Sequence, residues 1–228
     1  MARGTRMPGR KLSGLVGFGR LVEAVLAVAI ASGLVGWLGS VAIRYGWFSG
    51  VDDLNLRGVK AAAFFTIITW FGTAEGVIVT SLIMLVVLLA LRLYQPALVF
   101  VTDLLTSAIA NDQLKSWVAR ERPAGVDMSE LGFAFPSGHA FVCTAVFGLF
   151  AWILARYIRE PFFRFLIAGG FTLFILLIAY SRLYLGVHYL SDVLAGLALG
   201  LCWLVMFARA AKLPERRGTP VRARPAGQ

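Results

Sequence analysis

Apolar residues in this chain gather into long runs instead of alternating with polar ones. Windows of the length that crosses a hydrocarbon core, roughly 17–25 residues, stand out near 21–43, 72–91, 96–114, 139–155, 165–180 and 190–208. Six membrane-spanning helices are therefore expected. The run from Ala61 to Leu91 is too long for one perpendicular span, and Asp52, Asp53, Arg57 and Lys60 precede it. It divides into an interfacial helix near 53–70 and a span after Gly72, with one tilted helix as the other way to arrange it. The expected fold is all-α: a polytopic six-helix membrane bundle at 21–210, a basic N-terminal segment at 1–20 and a basic tail at 211–228.

Composition agrees with the bilayer as solvent. Of 228 residues, 59% are hydrophobic and 15% charged, and the mean hydropathy is +0.78, whereas a soluble domain is about half apolar and a quarter charged. The net charge of +10 is unevenly placed. With the N-terminus inside, the outer segments hold Arg44, Arg57, Lys60, Lys115, Arg120, Arg122 and Arg182, and the other fifteen of the 22 basic residues lie on the inner side. Both termini are thus expected in the cytoplasm, with the excess charge against anionic lipid. The basic residues form no continuous patch, so no nucleic-acid partner is expected.

The first apolar run, with Arg3 to Arg20 before AVLAVAIAS, has some features of a signal peptide. It continues past Ala31 through 33–43, longer than such a segment's apolar core, so an uncleaved span is expected. Cys143 and Cys202 lie inside apolar runs, where a small buried hydrophobe is the default, and no metal-binding cysteine motif occurs. The tail after Lys212 is rich in Arg, Pro and Gly without an apolar face, which suits a solvated extension.

This topology assigns three connections to the outer face: 44–71, 115–138 and 181–189. The chain's two histidines, His139 and His188, both fall at that side. Lys115 and Arg122 share one helical face if the helix continues through KSWVARER until Pro123 stops it; either cation taken alone is more readily read as snorkelling at the interface. In FPSGHA, Pro136 can precede or open a helix, Ser137 suits its N-cap, and Gly138 lets an anion approach the first amides. Capping would account for Ser137 without requiring His139. In SRLYLGVHYLSD, His188 and Asp192 are spaced i, i+4 on one helical face, so the carboxylate can fix the imidazole tautomer and leave the other nitrogen to attack.

Taken in order, Lys115, Arg122 and Pro123, then Pro136 to His139, then Ser181, Arg182, His188 and Asp192 resemble the three-part pattern of the type 2 phosphatidic acid phosphatase superfamily. The motifs run from Lys115 to Asp192, and six spans with motifs on the outer side resemble its bacterial membrane-bound branch. The resemblance implies that His188 is a nucleophile forming a phosphohistidine and that Asp192 orients it. It also implies that His139 protonates the leaving alkoxide and later activates water. Lys115, Arg122, Ser137, Gly138 and Arg182 would hold the phosphoryl oxygens. Arg120 and Asn111 lie nearby but outside the pattern and are left unassigned.

The implied substrate is a membrane lipid phosphate or diphosphate whose phosphate lies at headgroup depth, of the phosphatidic acid, phosphatidylglycerol phosphate or polyprenyl diphosphate type. No metal or cofactor is expected, because three cations and helix-end amides can neutralise a phosphoryl group and the outer carboxylates are too scattered for a two-metal cage. Vanadium haloperoxidases and glucose-6-phosphatases share the superfamily; the composition disfavours the former and the short chain the latter. Two alternatives remain. A lipid phosphotransferase would use the same intermediate, and a transporter would give Glu23, Glu75 and Asp103 a role in an ion pathway, although no inverted repeat supports it. Oligomeric state has no signature in the sequence.

Overall fold

The polar breaks between apolar runs become the turns of a helical bundle. The computed structural model describes residues 10–54, 56–58, 60–125 and 132–211, with only the backbone of 10–18. Its helices are α1 (Arg10–Arg44), α2 (Ser49–Asp52), α3 (Ala62–Trp70), α4 (Ala74–Ala90), α5 (Tyr94–Val118), α6 (Gly138–Tyr157), α7 (Pro161–Tyr184) and α8 (Leu190–Ala210). No strand occurs among the described residues. The extreme N-terminal segment (1–9) and the tail (212–228) lie outside them.

Four helices, α1, α6, α7 and α8, are long and apolar enough to cross a membrane, and a fifth span arises if α3 and α4, bent by 55° at a short break, count as one. This is a multi-pass membrane protein. Large apolar side chains such as Leu26 and Ile30 on α1, Leu82 and Ile83 on α4, and Phe165 and Leu173 on α7 are exposed, as expected where the surroundings are lipid. The expected span at 96–114 falls within α5, which is long enough but too polar to join that group on composition. Its polar residues include Asp103 and Ser107, both fully buried.

The interfacial helix expected near 53–70 is shorter than that. Only 62–70 is helical, and the described residues between Asp53 and Ala61 are not. Their backbone donors go elsewhere: Gly58 N–H donates to the Tyr184 carbonyl at 3.0 Å and Ala61 N–H to the Tyr184 hydroxyl at 2.8 Å. Tertiary bonds to α7 thus replace the i, i−4 ladder in this segment. The exposed Glu75 lies in the first turn of α4, as helix-end placement requires. Asp103 behaves differently, since its buried carboxylate has no hydrogen-bond partner among the described residues.

At the centre stands α6, with 67% of its most apolar stretch buried against 17% for α1 and α7. It lies against α8 where small residues let two backbones approach. A Cβ on Gly196 would lie 2.6 Å from the Ser137 carbonyl oxygen, and one on Gly200 would lie 2.7 Å from that of Phe141. This crossing has a functional consequence, because it brings the two helix starts together: Ser137 N–H donates to the Asp192 carbonyl at 3.0 Å. Gly196→Ala should therefore lower stability by about 1–3 kcal/mol and reduce activity with it. An unchanged thermal unfolding midpoint in detergent would show that the contact can relax.

Candidate active site

Helix α5 stops earlier than its sequence suggests. Ala119 adopts a left-handed conformation with φ of 51°, so KSWVARER does not stay helical, and Lys115 and Arg122 do not share a helical face. Pro123 is not the terminator. The reversed chain instead carries Arg122 back over the site, where Nε donates to the Gly132 carbonyl at 3.0 Å and Nη1 to the Val187 carbonyl at 3.0 Å. Lys115 Nζ donates to the Phe133 carbonyl. Both cations are thus fixed by carbonyl oxygens of the segments flanking the histidine motifs.

At the start of α6, Ser137 occupies the N-cap position, but its hydroxyl makes no capping bond. The side chain is fully buried and Oγ has no hydrogen-bond partner among the described residues. The same holds for Nε2 of His139. Buried polar atoms without partners are uncommon, and here both belong to motif residues. Asn111 packs beside Gly138, with Nδ2 and Oδ1 each 3.0 Å from where a Cβ would stand. The His139 ring rests on the α3–α4 turn, where a Cβ on Gly72 would lie 2.4 Å from its Cδ2. Gly72→Ala should accordingly push the ring aside and lower kcat by about tenfold or more. Wild-type kcat in that variant would show that the turn does not position His139.

His188 is not on a helix. It follows a turn in which Gly186 has φ of +70°, a conformation that glycine adopts at little cost. It precedes α8, whose N-cap is Tyr189. Asp192 reaches back from the first turn of α8: Oδ2 accepts the Tyr189 N–H at 3.0 Å and lies 3.5 Å from His188 Nδ1. The expected helical face for the pair is thus replaced by a helix-start arrangement. Nε2 of His188 lies 3.4 Å from Arg122 Nη1. A guanidinium has donors only, so this contact and the Asp192 carboxylate beside Nδ1 both favour the tautomer protonated on Nδ1. That tautomer is the one a nucleophilic Nε2 requires.

A cavity of about 520 Å³ is lined by Lys115, Arg122, Gly138, His139 and His188, with Asn111 and Gly72 beside them. Asp112 and Thr73 add two more polar groups, and the rest of the wall is apolar, including Val77 and Ile78 of α4 and Leu104 and Leu105 of α5. The remaining expected site residues stand behind this lining. Ser137 and Asp192 are fully buried. Arg182, 1% exposed, closes the end of α7, where its Nη1 donates to Thr69 Oγ1 at 2.7 Å.

Sequence reasoning left out Asp52, Thr69 and Gly72 and left Arg120 and Asn111 unassigned. Arg120 Nη1 donates to Asp192 Oδ1 at 2.6 Å, and its Nη2 pairs with Asp52. Burial pulls the pKa of Arg120 down, but Asp192 and Asp52 outweigh it and hold the guanidinium above its ordinary value. Among the described residues, no group of three or more His, Cys, Asp or Glu is arranged to hold a metal ion.

A family model for the PAP2 superfamily matches residues 96–214, just over half of the chain. The chain belongs to the PAP2 superfamily. That segment contains every motif residue above, whereas Asp52, Thr69 and Gly72 precede it. Phosphatidylglycerophosphatase B of Bacillus subtilis is 38% identical over 111 residues, covering 46% of this chain and 50% of that protein. Lipid A 1-phosphatase of Rhizobium johnstonii is 35% identical over 132 residues, covering 51% and 50%. The chain therefore matches about half the length of these relatives. The crystal structure of a transmembrane PAP2 type phosphatidylglycerolphosphate phosphatase from Bacillus subtilis superposes with a TM-score of 0.67 at 22% identity, over 85% of this chain and 98% of that one. The helical bundle of this PAP2 protein is thus a known fold.

Proposed function

We propose that this PAP2 protein is a metal-independent lipid phosphate phosphatase that works through a phosphohistidine on His188 at the outer membrane face. One observation carries the proposal: the chain's two histidines line a single cavity that holds Lys115 and Arg122 together with a largely apolar wall from α4 and α5. Such a cavity suits an amphiphile with a phosphate at one end and a hydrocarbon tail at the other. The names of the relatives, all lipid phosphatases, point the same way.

In this scheme Lys115, Arg122, Arg182, Ser137 and the first amides of α6 hold the phosphoryl oxygens and neutralise their charge. Nε2 of His188 forms a bond to phosphorus as the bond to the lipid oxygen breaks, and His139 donates a proton to that oxygen. Water then attacks phosphorus with its proton passing to His139; the P–N bond breaks and inorganic phosphate leaves. Helix α5 serves as the sixth span in this proposal, with Asp103 and Ser107 turned inward; an even number of spans and the excess of basic residues on the inner side support cytoplasmic termini and a cavity at the outer headgroup level.

The test is phosphate release by purified protein in detergent from phosphatidic acid, phosphatidylglycerol phosphate, undecaprenyl diphosphate and soluble glycerol phosphate. At least one lipid should be cleaved about tenfold or more faster than the soluble ester, as remote binding energy is used in the transition state. Cleavage of soluble esters alone would overturn the lipid assignment. A chelator should leave the rate within about twofold of its starting value, since the cations replace a metal. Collapse reversed by magnesium would overturn the metal-independent scheme.

A further inference from the structure

We propose that Arg120, itself held by Asp52, is a positioning residue that keeps Asp192 aligned on the His188 imidazole. This rests on His188 as the nucleophile. The geometry is a fork spanning two carboxylates. Nη1 of Arg120 donates to Asp192 Oδ1 at 2.6 Å and to Ser191 Oγ at 2.7 Å, while Nη2 donates to Asp52 Oδ2. The other oxygen of Asp52 accepts the Ser191 N–H at 3.1 Å. The guanidinium carbon lies 4.1 Å from the centre of the Tyr189 ring.

The two oxygens of Asp192 thus have separate tasks. Oδ1 is taken by Arg120, and Oδ2 faces the Tyr189 amide and His188 Nδ1. The carboxylate is fully buried, so removing Arg120 would leave Oδ1 without its charge-assisted bond. The carboxylate could then rotate toward other donors or take up a proton, and either change loosens its hold on the imidazole. Asp52 matters because it lies on α2, outside the PAP2 match, and fixes the far edge of the guanidinium. Through the Ser191 amide it also caps the start of α8. A lysine could make one of these bonds but not the planar fork.

Both terminal nitrogens of Arg120 are already engaged by side chains of α2 and α8. Its donors are directed at Asp192, Ser191 and Asp52, so it acts through Asp192 and not on the phosphoryl oxygens. A purely structural role would lower stability and leave the kinetics of folded protein unchanged. A positioning role instead lowers kcat while phosphate binding stays intact.

The experiment uses full-length protein in detergent carrying Arg120→Gln, Arg120→Lys or Asp52→Asn. It measures kcat and KM on phosphatidic acid and p-nitrophenyl phosphate, competitive inhibition by inorganic phosphate, and thermal unfolding. Arg120→Gln should lower kcat about 10–100-fold, the scale on which loss of an orienting hydrogen-bond partner acts at metal-bound histidines, with inhibition by phosphate changed by no more than about twofold. Arg120→Lys should recover part of that loss, and Asp52→Asn should show a smaller fall in kcat of the same kind. If Arg120→Gln fails to fold, the same split in Asp52→Asn decides. Unchanged kcat in folded variants would overturn the proposal. So would inhibition by phosphate weakening in step with kcat, which would put Arg120 on the phosphate itself. Absence of a phosphoryl group on wild-type His188 after alkaline quench overturns the nucleophile assignment instead, whatever the Arg120 variants do.

Discussion

With His188 replaced by alanine, phosphate release from every ester should fall by at least about 10³-fold, the scale seen when a covalent nucleophile is deleted. The loss should appear in kcat. Lys115 and Arg122 are anchored to the Phe133, Gly132 and Val187 carbonyls, none of which is part of the His188 side chain. The cationic end of the cavity should therefore survive the substitution, and inorganic phosphate should still bind. The leaving group should make no difference: whether alkyl or aryl, the oxygen can depart only as a bond to Nε2 forms. Phosphate release from phosphatidic acid and from p-nitrophenyl phosphate provides the check. Appreciable turnover of the aryl ester by His188→Ala would mean that another group attacks phosphorus.

His139→Ala should have a comparably large effect that depends on the leaving group. Loss of a positioned general acid costs about 10²–10⁴-fold when the departing oxygen is an alkoxide that must be protonated. With p-nitrophenyl phosphate the departing phenolate is stable without that proton, so much of the formation step should be recovered. Hydrolysis of the phosphoenzyme would still lack its base, and the variant should therefore accumulate phosphohistidine on the aryl substrate after a burst of nitrophenolate. His139 lines the cavity with its ring seated on Gly72 and its Nε2 buried and unpartnered among the described residues. Equal rescue of the His139 and His188 variants by the aryl ester would contradict the division of roles between them.

Much of this was legible in the chain because it is local. The long apolar runs mark α1, α6, α7 and α8, since a bilayer requires uninterrupted hydrocarbon and the sequence must supply it residue by residue. Each motif is likewise a short string at a helix end. What escaped notice depends on groups distant in sequence. Arg120 meets Asp192 across 72 positions and Asp52 across 68, and pairs of that kind have no periodic trace. The end of α5 carries no signal in the sequence, because the left-handed residue is Ala119, where glycine or asparagine would mark a stop. The helical face assigned to His188 and Asp192 failed for a related reason: i, i+4 spacing fits both a continuous helix and a residue just ahead of one, and only the turn at Gly186 separates them. Helix α5 shows the limit of composition, because the buried Asp103 and Ser107 and the polar residues toward its C-terminal end dilute the apolar character by which spans are recognised.

The most direct measurement is a single turnover with lipid carrying a radiolabelled phosphate, stopped in alkali, where phosphohistidine survives, followed by peptide mapping. The label should be found on His188, appear and decay at rates that account for turnover, and persist longer in His139→Ala. Label on any other residue, or complete turnover with no labelled protein at any time, would contradict the account.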